Sequence, residues 1–203
     1  MVFLHFIKWC LGLARAETQI TAAEAEHLVR HASGKRRVAE IGVWHGWTTK
    51  RLRAAMAADG VLFAVDPFFK GRLGFSAQRV IARREVASVA NGTVVWVPQT
   101  AVDAAANPSV RAAAPFDFVF LDALHSYDGL RDEWEAWSPF VAPGGTIAIH
   151  DSRAVPQTGA APAGGVRYTS EVVLRDPRFE VIDAVDSLTV LRRVESILKS
   201  RYS

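Results

Sequence analysis

Cysteine is almost absent from this chain of 203 residues, in which Cys10 is the single example. A single cysteine excludes an internal disulfide, and it also excludes a zinc site of the Cys-x-x-Cys type. Because disulfides are rare where thiols stay reduced, the lack of a cysteine pair favours a cytoplasmic protein.

The sequence also has no apolar run of the roughly 20 residues that a membrane-spanning helix needs. Its most apolar end, residues 1–13, is interrupted by His5 and Lys8. Residues 14–16 resemble a signal-peptide cleavage site, but no positive charge precedes the apolar stretch, so secretion is the less favoured interpretation. We expect residues 1–19 to form an amphipathic helix that packs on the rest of the chain or on a partner, which would allow a homo-oligomer.

Neither sign of charge is in strong excess, because 24 lysines and arginines accompany 21 aspartates and glutamates, for a net charge of +3. The charges are scattered, and no aromatic-rich RNA-binding motif is present, so we expect no nucleic-acid partner. Half of the residues are hydrophobic. A chain of this length and composition can bury a full core, so residues 20–203 are predicted to form a single domain.

Short apolar segments alternate along the chain with segments of helical periodicity. Seven strands are predicted, at residues 37–43, 61–65, 93–97, 118–121, 146–149, 179–184 and 188–192. The helices predicted between them include one over residues 101–113 and one with an apolar stripe of Leu130, Trp134, Trp137 and Val141. The alternation predicts a three-layer α/β fold with a mostly parallel sheet, and the short last connection predicts an antiparallel C-terminal hairpin.

The first strand leads into a glycine turn and then a helix, over residues 38–49. Gly42 and Gly46 allow the backbone to approach a ligand closely, and the helix that opens near Thr48 offers unpaired N–H groups. Asp66 ends the second strand, twenty residues after Gly46, a spacing suited to holding the two hydroxyls of a ribose. These features predict a nucleoside-cofactor site, and the alternative is an ordinary strand-to-helix turn without a ligand.

The glycine spacing narrows the choice of nucleoside. A dinucleotide site needs Gly-x-Gly-x-x-Gly, whereas bulky Trp44 stands where the second glycine would make room for a pyrophosphate. Glu40, an acid within the first strand, suits a cationic cofactor. The segment resembles the first motif of class I S-adenosylmethionine (SAM) methyltransferases, Glu-x-Gly-x-x-x-Gly. The resemblance implies a Rossmann-like methyltransferase fold and a SAM site made by these residues: Glu40, Gly42, Trp44, Gly46, Thr48 and Asp66. Gln99 and Thr100 follow the third strand, where that fold contacts adenine.

A second group of polar residues ends the fourth and fifth strands, at Asp122 and at His150 with Asp151. If these strands are neighbours, their ends lie about 5 Å apart. Two carboxylates at that distance repel each other unless a cation lies between them. A divalent metal would supply that cation, and oxygen ligands suit Mg²⁺ best.

Residues 120–129 resemble the Asp-x-x-His-Ser-Tyr-Glu-Gly segment of small-molecule O-methyltransferases of the macrocin O-methyltransferase type, and Pro-Gly-Gly at 143–145 followed by His150-Asp151 is similar to a second segment of that group. The resemblance implies that His125 is the base and that Asp122, His150 and Asp151 hold a metal. The metal-dependent members carry glutamate where this chain has His150, and histidine favours softer ions than Mg²⁺. Three alternatives remain: His125 as a helix cap or as a residue that orients Asp122, Asp122 as a cofactor contact, and His150 as a support for a ligand.

The sequence as a whole predicts a SAM-dependent methyltransferase that moves a methyl group to a hydroxyl of a small molecule, such as a sugar or a phenol, with or without a metal. The Ala-, Gly- and Pro-rich residues 154–165 are expected to form a loop over the acceptor. Two alternatives remain open, a nicotinamide-linked oxidoreductase and a SAM-binding subunit without catalytic activity.

Overall fold

The computed structural model describes residues 2–71, 74–154 and 163–194. Its strands are β1 (Arg37–Ile41), β2 (Val61–Val65), β3 (Thr93–Val97), β4 (Phe116–Leu121), β5 (Val141–Ile149), β6 (Phe179–Val185) and β7 (Leu188–Arg193). Its helices are α1 (Val2–Cys10), α2 (Ala22–Ala32), α3 (Trp47–Ala55), α4 (Ala77–Ala87), α5 (Ala101–Ala106), α6 (Pro108–Ala113), α7 (Tyr127–Trp137) and α8 (Ala163–Glu171), with 3-10 turns at Ser138–Phe140 and Val173–Arg175. The loop predicted over residues 154–165 lies mostly outside the described residues.

The seven strands form one sheet in the order β3-β2-β1-β4-β5-β7-β6. Strands β1 to β5 are parallel, whereas β7 pairs antiparallel with both β5 and β6. The predicted fold, a three-layer Rossmann-like sheet that ends in an antiparallel hairpin, is confirmed.

Helices cover both faces of the sheet, and each face has its own core. Successive residues of β1 contribute to different cores, because side chains alternate between the two faces of a strand. Val38 packs with Leu52 of α3 in the core under α2, α3 and α4. Ala39 and Ile41 pack with Trp134 of α7 in the core under α5 to α8. Burial on both faces explains why the central strands are almost wholly apolar.

Two helix predictions are wrong in their extent, and proline explains both. The helix predicted over residues 101–113 is split into α5 and α6, because Pro108 has no N–H to continue α5 and instead begins α6 after the cap Asn107. Helix α7 ends at Trp137, and Pro139 follows it in a 3-10 turn. Val141 is therefore not part of the helical stripe but the first residue of β5.

Strand β5 also begins earlier than predicted. Residues 143–145, the Pro-Gly-Gly segment before the predicted strand, lie within it. The pairing of β5 with β4 shifts there, between Phe116 and Phe118, so the Pro-Gly-Gly segment makes an irregularity in the strand rather than a separate turn.

The N-terminal helix α1 ends at Cys10 rather than near residue 19, and it packs on the domain, one of the two arrangements expected for it. The ring of Phe6 lies against that of Phe75, with centroids 5.7 Å apart. Trp9 Nε1 donates to Glu85 Oε1 of α4 at 3.4 Å. No helix among the described residues combines the length and the hydropathy that a membrane span requires.

Candidate active site

A cavity of about 460 Å³ opens at the carboxyl ends of β1, β2 and β4. This is the edge of a parallel sheet where ligands bind, and the volume is in the range of small-molecule sites. The residues that line the cavity include Glu17, Thr18, Gln19, Gly42, Val43, Trp44, Thr48, Asp66, Thr100, Ala101, Asp122, Ala123, Leu124, His125 and Glu133. Most of the predicted site residues therefore share one cavity wall.

The glycine turn after β1 depends on both of its glycines, but for different reasons. Gly42 has a φ of +93°, and a Cβ atom there would collide with the backbone carbonyl of Asp122. Gly46 has a φ of +73° and does not line the cavity. A Cβ on Gly46 would lie 2.9 Å from Ala82 Cα, so this glycine allows α3 to pack closely on α4.

Asp66 holds the glycine turn against the end of β2. Its Oδ2 accepts hydrogen bonds from the backbone N–H groups of Val43 at 3.1 Å and Trp44 at 3.0 Å. Its Oδ1 accepts from the N–H of Phe68 at 2.7 Å. Because an ionised carboxylate offers about four acceptor sites, Asp66 can fix the turn and still accept from a ligand in the cavity.

Three residues predicted to contact a cofactor do not line the cavity: Glu40, Gly46 and Gln99. Glu40 shares its face of β1 with Val38, so it is wholly buried beneath α3, where burial raises the pKa of its carboxyl group well above the ordinary value. Gln99 Oε1 accepts from Asn107 Nδ2 at 2.7 Å. Thr100 does line the cavity, and its hydroxyl caps α5.

His150 lies between two carboxylates. Its Nδ1 is 2.8 Å from Asp122 Oδ1, and its Nε2 is 3.5 Å from Glu24 Oε2. Burial lowers the pKa of His150, but the hydrogen bonds with Asp122 and Glu24 outweigh that effect and raise it to about 10. Burial raises the pKa of Glu24, whereas its bonds with His150, Ser187 and the N–H of Thr21 lower it to about 2. Both neighbouring carboxylates therefore favour the imidazolium form of His150.

This charge state bears directly on the predicted metal site of Asp122, His150 and Asp151. Ligand atoms of Asp122, His125 and His150 do lie within 4.8 Å of one another. An imidazolium has no free lone pair for a metal, however, and it already supplies the positive charge that Asp122 needs. In this arrangement His150 offers no ligand atom to Mg²⁺, because its two ring nitrogens face Asp122 and Glu24, and a metal held by Asp122 and Asp151 stays a prediction.

His125 and Asp151 form a second pair at the same edge of the sheet. His125 Nδ1 is 3.4 Å from Asp151 Oδ2, and about a third of the His125 side chain is exposed. Asp151 has a φ of +50°, and its N–H donates to Ser187 Oγ at 3.3 Å. Helix α7 is capped by the hydroxyl of Ser126 rather than by His125, so the alternative of a capping histidine is wrong.

Sequence reasoning missed Glu133, a residue of α7 that lines the cavity although it is only 1% exposed. Burial raises the pKa of its carboxyl group well above the ordinary value, and its Oε1 has no hydrogen-bond partner. The signal was its position, since Glu133 interrupts the apolar stripe between Leu130 and Trp137. The segment of Glu17, Thr18 and Gln19, between α1 and α2, was also missed, and no motif marks it.

Solved structures resemble nearly the whole chain at low sequence identity. TomG of Streptomyces achromogenes, an O-methyltransferase of tomaymycin synthesis in complex with SAM, has a TM-score of 0.63 at 20% identity, over 94% of this chain and 87% of that one. Cofactor-bound Rv0187 from MTB has a TM-score of 0.68 at 21% identity, over 96% and 90%. The Bacillus cereus O-methyltransferase in complex with SAH has a TM-score of 0.65 at 20% identity, over 96% and 89%. These likenesses support the fold.

Sequence comparison shows the family to which this chain belongs. No curated protein matches the chain. The model of the family described as "Methyltransferase domain" matches residues 39–152, which include the glycine turn, Asp66, and the polar residues after β4 and β5. The match covers more than half of the chain and excludes the alternative of an oxidoreductase, so this protein belongs to the methyltransferase-domain family.

Proposed function

We propose that this protein is a SAM-dependent O-methyltransferase that acts in the cytoplasm on a hydroxyl of a small molecule, with His125 as the base. The observation that carries the proposal is that His125, which pairs with Asp151, lines the same cavity as the glycine turn. One cavity thus contains a surface for a nucleoside and a group that can accept a proton.

The cofactor would occupy the part of the cavity formed by Gly42, Trp44, Thr48 and Asp66. Asp66 is suited to accept from the ribose hydroxyls, and Gly42 has no side chain to obstruct the approach. The absence of a pyrophosphate-binding glycine is consistent with a nucleoside that carries no phosphate. The SAM and SAH in the solved structures of TomG and the Bacillus cereus enzyme agree with this choice.

When bound, SAM supplies an electrophilic methyl group on a sulfonium centre, so the protein must align the acceptor and remove its proton. His125 would take the proton from the acceptor hydroxyl, a role that suits histidine because its ordinary pKa lies near neutrality. Asp151, whose Oδ2 lies 3.4 Å from Nδ1, would orient the ring and stabilise the imidazolium that forms. Alignment of the two reactants contributes further, because it removes much of their entropy cost.

Asp122 would complete the wall between the two reactants without a metal. Its Oδ1 pairs with Nδ1 of the buried His150 at 2.8 Å, while the Asp122 side chain stays partly exposed at the cavity. A neutralised Asp122 can accept a hydrogen bond from the acceptor or the cofactor without placing a free negative charge beside His125. The proposed reaction therefore requires no divalent cation.

The test is methyl transfer from isotope-labelled SAM to a panel of sugars, phenols and matched amines, in EDTA and again with Mg²⁺. We expect labelled product from one or more hydroxyl acceptors, with rates that EDTA does not change. Binding of SAM without transfer to any acceptor would favour the alternative of a non-catalytic subunit. Transfer only to amines, or only with Mg²⁺, would contradict the proposed acceptor or the proposed base.

A further inference from the structure

A second cavity, of about 350 Å³, lies beside the N-terminal end of α4 and has no part in the proposed reaction. Among the described residues, none lines both this cavity and the cofactor cavity. The segment after β2 contributes to each in turn, because Pro67 and Phe69 line the cofactor cavity while Phe68 and Lys70 line the second one. The second cavity is therefore a separate space on the other side of this segment.

The charged residues that line the second cavity are all basic among those that the structure describes: Lys70, Arg79 and Arg83. Arg79 and Arg83 are four residues apart on α4, so they lie on one face of the helix, where two like charges destabilise it. The only acidic residue of α4, Glu85, pairs instead with Lys50 of α3 at 3.5 Å. Like charges gathered at a cavity without a carboxylate beside them point to an anionic ligand.

A solvated patch of charge would leave these side chains free in water, but two of them are held by the protein. The Cζ atom of Arg83 lies 5.5 Å from the centroid of the Trp96 ring, a cation–π contact from β3. Arg79 is partly buried, and its Nε is shielded from water without a hydrogen-bond partner. Burial of a charged group in this way costs free energy unless the rest of the group finds a strong acceptor. The two arginines are thus positioned at the cavity in advance of a ligand.

The start of α4 adds to the attraction for an anion. Ser76 lines the cavity and caps the helix, where its Oγ accepts from the N–H of Arg79 at 3.2 Å. The first N–H groups of a helix have no partner within it, and the helix dipole places partial positive charge at this end. An anion beside Ser76 is therefore attracted by the helix end and by the three cations together.

The uncharged part of the wall indicates that the ligand carries more than its charge. Phe75 and Val80 line the cavity and are 37% and 42% exposed, so they present apolar surface to whatever enters it. The planar fork of an arginine matches the oxygens of a phosphate, and three cations suit a doubly charged group better than a single carboxylate. The cavity is also larger than a free phosphate ion needs. A phosphoryl group attached to an apolar group satisfies all of these features.

We propose that the second cavity binds a phosphate monoester, with its phosphoryl group at Lys70, Arg79 and Arg83 and its organic group against Phe75 and Val80. The proposed reaction does not use this site, and the site requires no cofactor. Its test is therefore independent of the proposed function.

The experiment measures by calorimetry, at constant ionic strength, the dissociation constants of phenyl phosphate and inorganic phosphate for wild type, Arg79→Gln, Arg83→Gln and Arg84→Gln. We expect wild type to bind phenyl phosphate more tightly than inorganic phosphate, because only the ester reaches the apolar wall. Arg79→Gln and Arg83→Gln should each weaken the binding of phenyl phosphate by about tenfold or more, as for the loss of a hydrogen bond to a charged group. Arg84→Gln removes an exposed charge of the same helix outside the cavity wall, so it should stay within about twofold of wild type.

Each other outcome overturns the site. If wild type binds neither compound, the site is excluded without reference to any variant. Equal affinities of wild type for the two compounds would exclude the organic group from the apolar wall. Equal losses in all three variants would show a general attraction of anions to a basic surface, and unchanged affinities in Arg79→Gln and Arg83→Gln would place the ligand elsewhere. Displacement of phenyl phosphate by S-adenosylhomocysteine would place it in the cofactor cavity.

Discussion

The cofactor half and the acceptor half of the site consist of different chemical groups. The cofactor half, residues 42–48 with Asp66, consists of backbone N–H groups, two glycines and one carboxylate. That carboxylate accepts hydrogen bonds from the N–H groups of Val43, Trp44 and Phe68. The acceptor half, Asp122, His125, His150 and Asp151, consists of ionisable side chains paired with one another. The first half is defined by shape, and the second is defined by charge.

This difference follows from the two tasks. A cofactor used in every turnover is well served by a rigid turn, and backbone groups do not change with pH. Proton removal from an acceptor requires groups that change their protonation state. Changes in shape should therefore damage the cofactor half, and changes in charge or pH should damage the acceptor half.

The largest effect is expected at His125, where a substitution should lower catalysis and leave cofactor binding unchanged. His125→Ala should lower kcat by about 100- to 10,000-fold, the usual contribution of a positioned base. Its affinity for S-adenosylhomocysteine should stay within about twofold of wild type, because the cofactor half is unchanged. Steady-state rates with the best acceptor and calorimetry with the product test both statements, with His27→Ala as a control outside the cavity. Near-wild-type turnover would exclude His125 as the base.

The next largest effect concerns the buried ion pairs of His150. His150→Gln leaves Glu24 and Asp122 without their shared cation, so the free energy of unfolding should fall by about 3–5 kcal/mol. His27→Gln removes a more exposed pair with Asp183 and should cost about 1 kcal/mol or less. Urea unfolding at pH 6 measures both. Equal losses in the two variants would contradict the assignment of His150 as a buried cation.

The same residue predicts how stability depends on pH. The raised pKa of His150 contributes stability that is fully present below its ordinary value of 6.5 and is lost as the pH rises towards about 10. The lowered pKa of Glu24 contributes stability above its ordinary value of 4.5 that is lost as the pH falls towards about 2. Wild type should therefore lose stability between pH 6.5 and 10 relative to His150→Gln. Parallel profiles in urea unfolding would contradict this.

A glycine pair tests the shape of the cofactor half. Gly42 and Gly144 both have a positive φ, of +93° and +73°, but only at Gly42 would a Cβ meet other atoms. Gly144→Ala should cost about 1 kcal/mol of unfolding free energy for backbone strain alone. Gly42→Ala should cost about 2 kcal/mol more and should abolish cofactor binding, because the Asp122 backbone must move. If the two variants lose the same free energy of unfolding, the close approach of Gly42 to the Asp122 backbone does not contribute to stability.

The smallest effect is expected at Asp66, and Asp117 provides its control. Both carboxylates accept from two successive backbone N–H groups, Asp66 at the cavity and Asp117 at the opposite end of the sheet. Each change to asparagine should cost about 1 kcal/mol of stability. Only Asp66→Asn should also weaken the binding of S-adenosylhomocysteine, by about tenfold. Equal affinities in calorimetry would remove Asp66 from the ribose site.

The cofactor half could be predicted more fully than the acceptor half, for a physical reason. The glycine turn and Asp66 are separated by one strand and one helix, and their arrangement follows from the order of those elements. The state of His150 depends on Glu24, and the sequence Thr21-Ala22-Ala23-Glu24 marks that residue only as part of a capping box at the start of α2. Glu24 Oε2 does accept from the N–H of Thr21, as that motif predicts, but the same carboxylate also pairs with His150 across the fold.

The same limit applies to Glu40 and Glu133. Glu40 stands in a motif, yet the alternation of β1 turns it away from the cavity and into the core beneath α3. Glu133 belongs to no motif that was recognised, yet it borders the cavity because α7 packs against α5. Position within a known motif was thus a weaker guide to cavity contact than the face of the strand or helix on which a residue lies.

A calorimetric titration of the wild-type protein with S-adenosylhomocysteine in EDTA tests most directly whether the cavity at the glycine turn is a SAM site. A single site per chain with micromolar affinity, unchanged when Mg²⁺ is restored, is the predicted result. No detectable binding in either condition would contradict the account, since the cavity at the glycine turn would then not be a SAM site.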